Sequence, residues 1–337
     1  MRILITGGAG FIGSNLCEHF VNKGYEVVCL DNLSTGFMHN IQDLKKFDNF
    51  TFIKGDIRNL DDCRKAMKGV DKVLQEAALG SVPRSIADPI NTNANNIDGF
   101  LNMLVAARDE GVERFVYAAS SSTYGDSKEL PKIEHNIGRP LSPYAITKFV
   151  NELYANVFSS LYGLETIGLR YFNVFGRRQN PEGAYAAVIP LWVKDLISHT
   201  SPSINGDGSY SRDFTYIDNV ILANELALTT SKEDVVKRSS LYNMNLPSNA
   251  PLDLVFNVAF GGNTTLLELF DCLRSNLAKY DSAIADIQPS FRDNRPGDIP
   301  HSQASIEKAK RILGYNPKFS AVCGFEQACE WYWNNLK

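Results

Sequence analysis

A glycine-rich turn near the amino terminus constrains the fold more than any other stretch of this sequence. Four glycines lie within residues 7–13, directly after a β-branched run at residues 3–6 and before an amphipathic stretch. At this spacing Gly7 permits a tight turn, Gly10 lets the backbone approach a pyrophosphate, and Gly13 allows close helix packing. The amino terminus of the helix then faces the phosphate charge. The turn therefore predicts the first strand, loop and helix of a Rossmann-type, dinucleotide-binding fold.

An acidic residue strengthens this interpretation and selects among dinucleotides. Asp31 ends the second predicted strand, after the apolar run at residues 26–30. A carboxylate at that position accepts hydrogen bonds from a ribose 2′-hydroxyl and repels a 2′-phosphate, so NAD is predicted rather than NADP. The alternative is a glycine-rich turn without a ligand. The preceding strand, the following helix and Asp31 together argue against it.

Short apolar runs alternate with longer amphipathic stretches through the first half of the chain. Strands are predicted at residues 3–6, 26–30, 51–54, 72–75, 115–118 and 166–171. Helices are predicted over residues 11–22 and 95–108. The second helix has one apolar face at 3.6-residue spacing, formed by Ile97, Leu101, Leu104 and Val105. Repeated strand–helix–strand units predict an α/β fold, a doubly wound parallel sheet with helices on both faces.

The composition changes after about residue 175, where loops containing glycine and proline become common. We predict an NAD-binding Rossmann domain over residues 1–175, to which segments near 213–260 return. A smaller α/β lobe is expected over residues 176–212 and 261–337, packed on the carboxyl edge of the sheet.

Two segments of the second half have a strand-like pattern that includes asparagine. They are residues 241–245 and 255–258, and both are predicted as strands. Residues 247–254 have the pattern of an inserted loop between them.

Composition and charge exclude several classes of partner. The 337 residues are 44% apolar and 21% charged, which is typical of a globular protein with a large core. A formal net charge of −4 without runs of like charge argues against nucleic acid and an anionic membrane surface. No apolar run approaches the roughly 18 residues of a membrane span, and no signal peptide is evident. The six cysteines are scattered, as in a reducing cytoplasm. We expect a cytoplasmic protein without a metal site.

A tyrosine and a lysine four residues apart form the candidate reactive pair. Ser142 and Pro143 have the pattern of a helix start, because serine can cap free amides and proline suits the first turn. Tyr144 and Lys148 then lie on one helical face. A neighbouring ammonium group can lower the pKa of a tyrosine below its usual value of about 10, so Tyr144 is a candidate general base. The spacing alone is weak evidence, since an ordinary surface pair would share it.

Further motifs resemble one known family along nearly the whole chain. They lie at residues 56–58, 77–79 and 120–125, after the third, fourth and fifth predicted strands. With the glycine spacing and the Tyr144/Lys148 pair, they resemble the extended short-chain dehydrogenase/reductase family. Within it, the likeness is greatest to nucleotide-sugar 4-epimerases that act on UDP-N-acetylhexosamines. The segments that carry this closer likeness are residues 169–176, 184–190, 206–208, 211–214 and 295–298.

The resemblance implies a redox mechanism that leaves the cofactor unchanged overall. The base, assigned to Tyr144, takes the proton of the sugar 4-hydroxyl while C4 gives hydride to NAD. The 4-keto sugar then turns about its pyrophosphate link and takes the hydride back on its other face. Lys148 is expected to lower the pKa of Tyr144 and to bond the nicotinamide ribose. Ser120 matches the family's hydroxyl that holds the 4-oxygen, although Ser121 or Ser122 could take that role or contact the sugar.

The resemblance also implies binding residues for each ligand. The predicted NAD contacts are Gly7, Gly10, Phe11, Ile12, Gly13, Asp31, Asn32, Ser34, Gly36, Asp56, Ile57, Ala77, Ala78, Leu79, Asn96, Tyr144, Lys148 and Tyr171. The predicted UDP-sugar contacts are Gly80, Ser81, Ser121, Ser122, Asn173, Ala187, Val188, Asn205, Arg212, Arg295, Asp298 and Ser302. Arg212 and Arg295 would bind the diphosphate, since guanidinium groups pair with phosphate oxygens. Asp298 would reach the uridine ribose.

Ser302 is the position that informs the choice of sugar. Relatives restricted to glucose and galactose tend to carry a bulky aromatic residue there, whereas a serine leaves room for an acetamido group. Gly80 and Ser81 are small as well. The resemblance therefore implies interconversion of UDP-GlcNAc and UDP-GalNAc. Gln75 and Glu76 depart from the family's usual pair and place a carboxylate near the cofactor segment.

Other activities fit the motifs less well. A UDP-hexuronate or UDP-N-acetylhexosaminuronate 4-epimerase is an alternative activity, in which Arg84 would bind the sugar carboxylate. A nucleotide-sugar 4,6-dehydratase or a hexuronate decarboxylase usually has an acid just after the catalytic hydroxyl, where residues 121–123 are serine and threonine. A regulator that kept only the NAD fold would commonly lose the Tyr144/Lys148 pair. Relatives often dimerise through the helices after the fourth and fifth strands, so a homodimer is expected.

Overall fold

Seven parallel strands form the central sheet of the computed structural model, which describes residues 1–182, 186–242, 244–293 and 299–336. The strands of the described chain are β1 (Arg2–Thr6), β2 (Glu26–Asp31), β3 (Phe50–Lys54), β4 (Lys72–Gln75), β5 (Arg114–Ser120), β6 (Glu165–Tyr171), β7 (Val174–Phe175), β8 (Ser203–Asn205), β9 (Ser211–Arg212), β10 (Thr215–Tyr216), β11 (Asp253–Val258), β12 (Thr264–Thr265), β13 (Ser290–Arg292) and β14 (His301–Ser302). The order across the central sheet is β11-β6-β5-β4-β1-β2-β3. The α/β prediction is confirmed.

Helices cover both faces of this sheet. They are α1 (Phe11–Asn22), α2 (Leu60–Met67), α3 (Val82–Ala87), α4 (Pro89–Asn93), α5 (Gly99–Glu110), α6 (Pro143–Tyr162), α7 (Val188–Ile197), α8 (Ile217–Thr229), α9 (Lys232–Leu241), α10 (Leu266–Leu277), α11 (Glu307–Leu313) and α12 (Ala321–Asn335). Buried side chains of α1 and α8 form one core with the sheet, and those of α2, α5 and α6 form the other. No helix of the described residues is long and apolar enough to cross a bilayer.

The strand sequences explain why the sheet has two buried faces. Successive side chains of a strand point to opposite faces. In β1, Ile3 and Ile5 pack into the core with α1, while Leu4 packs into the core with α2 and α5. Every residue of β5 is buried. Strands buried on both faces read as continuous apolar runs, which is why these runs predicted a parallel sheet.

The predicted helix at residues 95–108 is present, with two differences. A π turn at Ala94–Asp98 joins α4 to α5, so the helical region is longer than predicted. The predicted apolar face is also rotated, because Leu104 is buried whereas Ile97, Leu101 and Val105 are only partly buried. α5 is apolar on more than one side, since it packs against the sheet as well as α2 and α6. Spacing alone therefore did not identify its most buried face.

The strand predicted at residues 241–245 is wrong. Residue 241 ends helix α9, which begins after Ser231, and the Ser231 hydroxyl accepts a hydrogen bond from Asp234 N–H at 3.1 Å. Asn243 lies outside the described residues. The strand predicted at residues 255–258 is confirmed as part of β11, which also includes Asp253 and Leu254 of the expected loop. Local pattern could not separate these cases, because β11 is specified by its pairing with β6.

Shorter elements form a second layer at the carboxyl end of the sheet. β7 follows β6 after two residues and pairs with β10, from which α8 returns to the central sheet. β9 pairs with β12 and β14, and β8 pairs with β13. Helices α7, α10 and α12 pack against one another beside these strands. The chain leaves the central sheet for this layer at the carboxyl ends of β6 and β11. Open α/β sheets bind ligands at the carboxyl ends of their strands.

Candidate active site

The glycine loop leaves the amino terminus of α1 open to a cleft. Gly7 has a φ of +63°, which glycine adopts without strain. A Cβ atom on Gly13 would lie 2.2 Å from the Gly7 carbonyl oxygen, so only glycine fits there. Gly10 caps α1 without a side chain. The first N–H groups of the helix are therefore available to an anion, as a pyrophosphate site requires.

Asp31 is hydrogen-bonded to this loop and also faces the cleft. Its Oδ2 atom accepts a hydrogen bond from Ala9 N–H at 2.9 Å, and its Oδ1 atom accepts one from Leu33 N–H at 2.7 Å. Each carboxylate oxygen can accept a second hydrogen bond. Asp31 can therefore hold the loop in place and still receive ribose hydroxyls.

A cleft of about 710 Å³ runs along the carboxyl ends of the central strands. It brings together most of the predicted residues. Those that line it are Gly7, Gly10, Phe11, Ile12, Gly13, Asp31, Asn32, Ser34, Ile57, Ala77, Ala78, Leu79, Gly80, Ser120, Ser121, Tyr144, Lys148, Tyr171, Asn173 and Ala187. Glu76 and Arg84, which the sequence singled out for other reasons, also line it. One continuous cleft thus joins the glycine loop to the reactive pair.

Asn96 does not line the cleft, and it acts one layer behind the residues that do. Its Oδ1 atom accepts a hydrogen bond from Leu79 N–H at 2.8 Å, and its amide group donates to the Leu79 carbonyl at 3.2 Å. The same amide group donates to Thr147 Oγ1 at 3.1 Å. Asn96 therefore joins the cleft segment that contains Leu79 to helix α6. It is a positioning residue in this structure.

Asp56 and Gly36 also lie behind the lining residues. Arg58 donates hydrogen bonds to Asp56, which lower the pKa of that carboxyl to about 2. Asn32, a lining residue, donates to Asp56 Oδ2 at 2.9 Å. Gly36 packs on the glycine loop, where a Cβ atom would lie 2.8 Å from the Ala9 carbonyl carbon. These two residues shape the part of the cleft next to the glycine loop through their contacts with Asn32 and Ala9.

The reactive pair lies at the start of α6, as predicted. Ser142 caps the helix by accepting a hydrogen bond from Ala145 N–H at 3.1 Å, and Pro143 occupies the first turn. Tyr144 and Lys148 both face the cleft. Lys148 Nζ donates a hydrogen bond to the Ala118 carbonyl at 2.7 Å, which orients the ammonium group towards the end of β5.

The pKa values of this pair differ from the sequence prediction. Burial raises the pKa of Tyr144, against the opposing effect of a hydrogen bond with Ser120. Burial lowers the pKa of Lys148 to about 8, and the charge of Glu76 opposes that change. The physical reason is that burial disfavours the charged form of each side chain. The residues of the chain alone do not make Tyr144 a strong base near pH 7.

The three serines at the end of β5 are not equivalent. Ser120 and Ser121 line the cleft, whereas Ser122 does not. Ser122 Oγ donates a hydrogen bond to Ser120 Oγ at 2.9 Å, and Ser122 N–H donates to the same oxygen at 3.2 Å. Ser120 also acts to lower the pKa of the Tyr144 hydroxyl. This geometry favours Ser120 as the hydroxyl beside Tyr144, with Ser122 orienting it.

A half-buried carboxyl group, that of Glu76, lies at the end of β4. Glu76 Oε1 accepts a hydrogen bond from Tyr171 Oη at 2.8 Å. The Asn224 amide group of α8 donates to Tyr171 Oη at 2.8 Å and to the Val220 carbonyl at 2.9 Å. Burial raises the pKa of Glu76 to about 7, and Tyr171 and Lys148 both oppose that rise.

Hydrogen bonds connect the second layer to the cleft at Asn173. Asn173 Nδ2 donates to the Asp213 carbonyl at 3.1 Å, and Thr215 N–H donates to the Asn173 carbonyl at 3.2 Å. Arg212 is next in sequence to Asp213, whose carbonyl contacts the cleft-lining Asn173. The Arg212 Nη1 atom donates a hydrogen bond to the Pro300 carbonyl at 3.1 Å. In the β9–β14 pairing, Ser302 is the register partner of Arg212.

Asp213 organises the same region from a buried position. Its carboxylate accepts hydrogen bonds from Gly261 N–H and Ala304 N–H, each at 3.2 Å. Burial raises its pKa to about 6, against those hydrogen bonds. One carboxyl group thus joins three segments that are distant in sequence. The β9–β14 pair is held next to the cleft for this reason.

The remaining predicted residues lie around the cleft or outside the described chain. Ala187 precedes α7 and Val188 begins it, and this helix has no side-chain cap. Ser81 caps α3 by accepting a hydrogen bond from Arg84 N–H at 3.3 Å. Asn205 pairs with Arg292 between β8 and β13. Arg295 and Asp298, like residues 183–185, lie outside the described residues. Among the described residues, no group of histidine, cysteine and carboxylate side chains could hold a metal ion.

Sequence reasoning missed part of the cleft wall. These residues are Leu30, Thr35, Phe37, Gly55, Asn95, Ala118, Ala119, Val174, Gln179, Asn180, Glu182 and Ala186. Ala118 and Ala119 could have been found, because they end β5 beside Ser120. Gln179, Asn180 and Glu182 gave no comparable signal, because only the tertiary fold brings them to the cleft.

Comparisons with known proteins agree with this geometry. The family profile described as "NAD dependent epimerase/dehydratase family" matches residues 3–244. A UDP-N-acetylglucosamine 4-epimerase from Methanobrevibacter ruminantium, solved with UDP-N-acetylmuramic acid, is 34% identical, with a TM-score of 0.86 over 99% of this chain and 98% of that one. A UDP-glucose 4-epimerase from Thermotoga maritima, solved with UDP-glucose, is 32% identical, with a TM-score of 0.87 over 100% of both chains.

A third solved structure is that of a UDP-glucuronic acid 4-epimerase from Bacillus cereus, solved with UDP-glucuronic acid and NAD. It is 30% identical, with a TM-score of 0.84 over 99% of both chains. The sequence match, the shared fold over whole chains and the glycine-loop cleft all lead to one assignment. This chain belongs to the NAD dependent epimerase/dehydratase family.

Proposed function

We propose that this protein interconverts the C4 epimers of a UDP-sugar, and that the sugar is an N-acetylhexosamine such as UDP-GlcNAc. The observation that carries the proposal is the meeting of Tyr144, Lys148 and Ser120 with the glycine loop in one cleft. Solved relatives with this fold act on UDP-sugars by their descriptions. The choice of an N-acetylhexosamine among UDP-sugars rests on the small side chains at Gly80, Ser81 and Ser302.

The described residues fit NAD. The glycine loop presents helix N–H groups where a pyrophosphate would lie, and no side chain fills that space. Asp31 offers carboxylate oxygens to the adenosine ribose. When bound, NAD supplies a hydride acceptor at its nicotinamide ring. Lys148 is in position to bond the nicotinamide ribose and to hold a positive charge beneath it.

Tyr144 is the proposed base for the sugar 4-hydroxyl. Moving the pKa of a tyrosine from about 10 to near 7 needs roughly 4 kcal/mol of differential stabilisation. In the protein itself burial acts in the other direction. The positive nicotinamide ring is the additional charge that could supply the difference, which would confine strong basicity to the cofactor-bound state. Ser120 would hold the 4-oxygen and share its hydrogen bond with Tyr144.

The UDP moiety would bind where the second layer meets the cleft. Arg212 lies there beside β14, and α7 begins next to Ala187 with uncapped N–H groups. Both features attract a diphosphate. We propose that Arg295 and Asp298 complete this site at the diphosphate and the uridine ribose. Val188 and Asn205 are proposed to border the uracil.

Small residues support an N-acetylated sugar. A Cβ atom added to Gly80, which lines the cleft, would meet nothing within 4 Å, so packing does not require a glycine there. Open space at Gly80 could receive a substituent of the sugar. Ser302, the register partner of Arg212, is proposed to lie against the C2 position, with Ser81 nearby.

Two other activities remain as alternatives. A UDP-hexuronate or UDP-N-acetylhexosaminuronate 4-epimerase is favoured by the glucuronate relative and by Arg84, which lines the cleft. A 4,6-dehydratase is disfavoured because residues 121–123 carry hydroxyl groups rather than an acid. A non-enzymatic NAD-binding protein is disfavoured by the intact Tyr144/Lys148 pair.

The test of the function is direct. Purified protein is incubated with UDP-GlcNAc, UDP-glucose and UDP-glucuronate without added NAD, and the products are separated by chromatography. We expect conversion of UDP-GlcNAc to UDP-GalNAc at the highest kcat/KM. A 4-keto-6-deoxy product would instead establish the dehydratase, and turnover of UDP-glucuronate alone would establish the uronate alternative.

Tyr144→Phe should abolish turnover, with a loss of at least 100-fold in kcat, because phenylalanine lacks the hydroxyl group that would take the proton. Bound NAD, measured after release from the protein, should be unchanged. Tyr154→Phe on the same helix is the matched control, since Tyr154 packs into the core away from the cleft. Retention of more than a few per cent of the activity would remove Tyr144 as the base.

Ser302→Tyr should depress kcat/KM for UDP-GlcNAc relative to UDP-glucose by about 100-fold, because a ring would occupy the space of the acetamido group. Ser302→Ala is the control and should leave the ratio of the two kcat/KM values unchanged. Equal losses on both sugars would show that residue 302 does not read the C2 substituent.

We also propose that the protein is a homodimer through α6. Exposed apolar side chains follow one side of this helix, at Ile146, Leu153, Val157 and Leu161. Sedimentation velocity should give a dimer for the native chain and a monomer for Val157→Glu. Leu241→Glu is the control, because Leu241 is exposed on a different helix. A native monomer would contradict the proposal.

A further inference from the structure

We propose that Glu76 is an ionisable counter-charge for the nicotinamide ring, which makes the bound cofactor harder to reduce once the carboxyl group has lost its proton. The inference rests on the NAD-binding role within the proposed function, and it adds a role for a residue that departs from the family's usual motif.

The topology of the sheet places Glu76 at the nicotinamide end of the cleft. The strand order β4-β1-β2 puts the glycine loop, after β1, between Glu76 and Asp31. A dinucleotide bound across this crevice has its pyrophosphate at the loop and one nucleoside on each side. Asp31 marks the adenosine side. The nicotinamide half must then lie over β4, β5 and β6, where Glu76 lines the cleft with Tyr144 and Lys148.

A chain of hydrogen bonds fixes the carboxyl group. The Asn224 amide donates both of its protons, to the Val220 carbonyl and to Tyr171 Oη. The Tyr171 hydroxyl has two acceptors within reach, Asn224 Oδ1 at 3.2 Å and Glu76 Oε1 at 2.8 Å, and the shorter hydrogen bond is to Glu76. A hydrogen bond donated to a carboxylate favours its ionised form. The side chain is thus held in place by α8 and β6 and is ready to carry a negative charge.

The groups that face Glu76 come from three elements. Helix α6 contributes Lys148 and Tyr144, strand β6 contributes Tyr171, and α8 contributes only the uncharged Asn224. Arg84 of α3 lines the same cleft. Burial raises the pKa of Glu76 to about 7, so its charge changes in the physiological range. A positive ring beside it would lower that pKa again.

The reaction changes the charge that Glu76 would face. When the sugar gives up a hydride and its hydroxyl proton, two electrons pass to the nicotinamide ring, and the ring charge falls from +1 to 0. The ionised carboxylate stabilises the oxidised ring only, so it opposes reduction and favours return of the hydride to the sugar. Near neutral pH, reduction is also accompanied by partial uptake of a proton from solvent by Glu76.

The sign of the pH dependence follows from linkage. Above its pKa, Glu76 is charged and stabilises the oxidised cofactor, whereas below its pKa the protonated side chain is neutral and this effect disappears. The reduction potentials of NAD bound to the native protein and to Glu76→Gln should therefore be equal at pH 5.5 and differ at pH 7.5. The higher pH lies below the pKa of about 8 of Lys148, so the ammonium group still carries its charge.

The test measures the reduction potential of the bound NAD in holoenzyme without sugar. The protein is equilibrated with redox mediators, and absorbance at about 340 nm reports the reduced cofactor. At pH 7.5, Glu76→Gln should shift the equilibrium about tenfold towards reduction, about 30 mV for two electrons. At pH 5.5 the shift should vanish. Tyr171→Phe should move the midpoint of the pH dependence upwards, because the lost hydrogen bond favoured the ionised carboxyl group.

Two variants act as controls for charge and position. Glu182→Gln removes a carboxylate from the same cleft, but that side chain is 67% exposed, so solvent should screen its effect. Lys148→Met removes a positive charge beside Glu76 and should shift the potential in the opposite direction. A Glu76→Gln potential equal to that of the native protein at pH 7.5, or a shift independent of pH, would overturn the inference. Failure of the native protein to bind NAD would overturn both proposals, whereas the expected shift without epimerisation would overturn the proposed function alone.

Discussion

A buried arginine–glutamate pair attaches helix α6 to the sheet, and the reactive side chains depend on that attachment. Arg170 of β6 donates two hydrogen bonds to the Glu152 carboxylate, each of 2.8 Å. It also donates to the Glu134 carbonyl and lies over the ring of Tyr124 at 4.8 Å. Removing one partner of such a pair typically costs about 3–5 kcal/mol, because the other charge stays buried. The start of α6, with Tyr144, is therefore placed by contacts made two turns further along the helix.

Contacts between residues that are distant in sequence also limit how much of the site could be predicted from the sequence. The glycine loop, Asp31 and the Tyr144/Lys148 pair are local patterns whose chemistry follows from spacing, and the structure places all of them in one cleft. Asn96 was predicted as a cofactor contact but joins Leu79 to α6 instead. Its partners are far away in sequence, so no local pattern could reveal that role.

Two errors have a related origin. Residues 241–245 and 255–258 look alike locally, yet the first segment starts at the end of a helix and the second lies in the central sheet. Their difference is set by tertiary partners, since β11 pairs with β6 along its whole length. The pKa of Tyr144 was predicted from a neighbouring charge, whereas burial is the larger effect in the folded chain. Burial is a property of the whole fold and cannot be read from a four-residue spacing.

The π turn at Ala94–Asp98 affects how the wall of the cleft is held in place. This turn contains two consecutive asparagines, Asn95 and Asn96, which are both buried. Asn95 donates hydrogen bonds back to Asn91, whereas Asn96 bonds Leu79 and Thr147. Leu79, which lines the cleft, bonds Asn96 through both its N–H and its carbonyl group. The shape of the cleft wall therefore depends on a turn that departs from regular α-helical geometry.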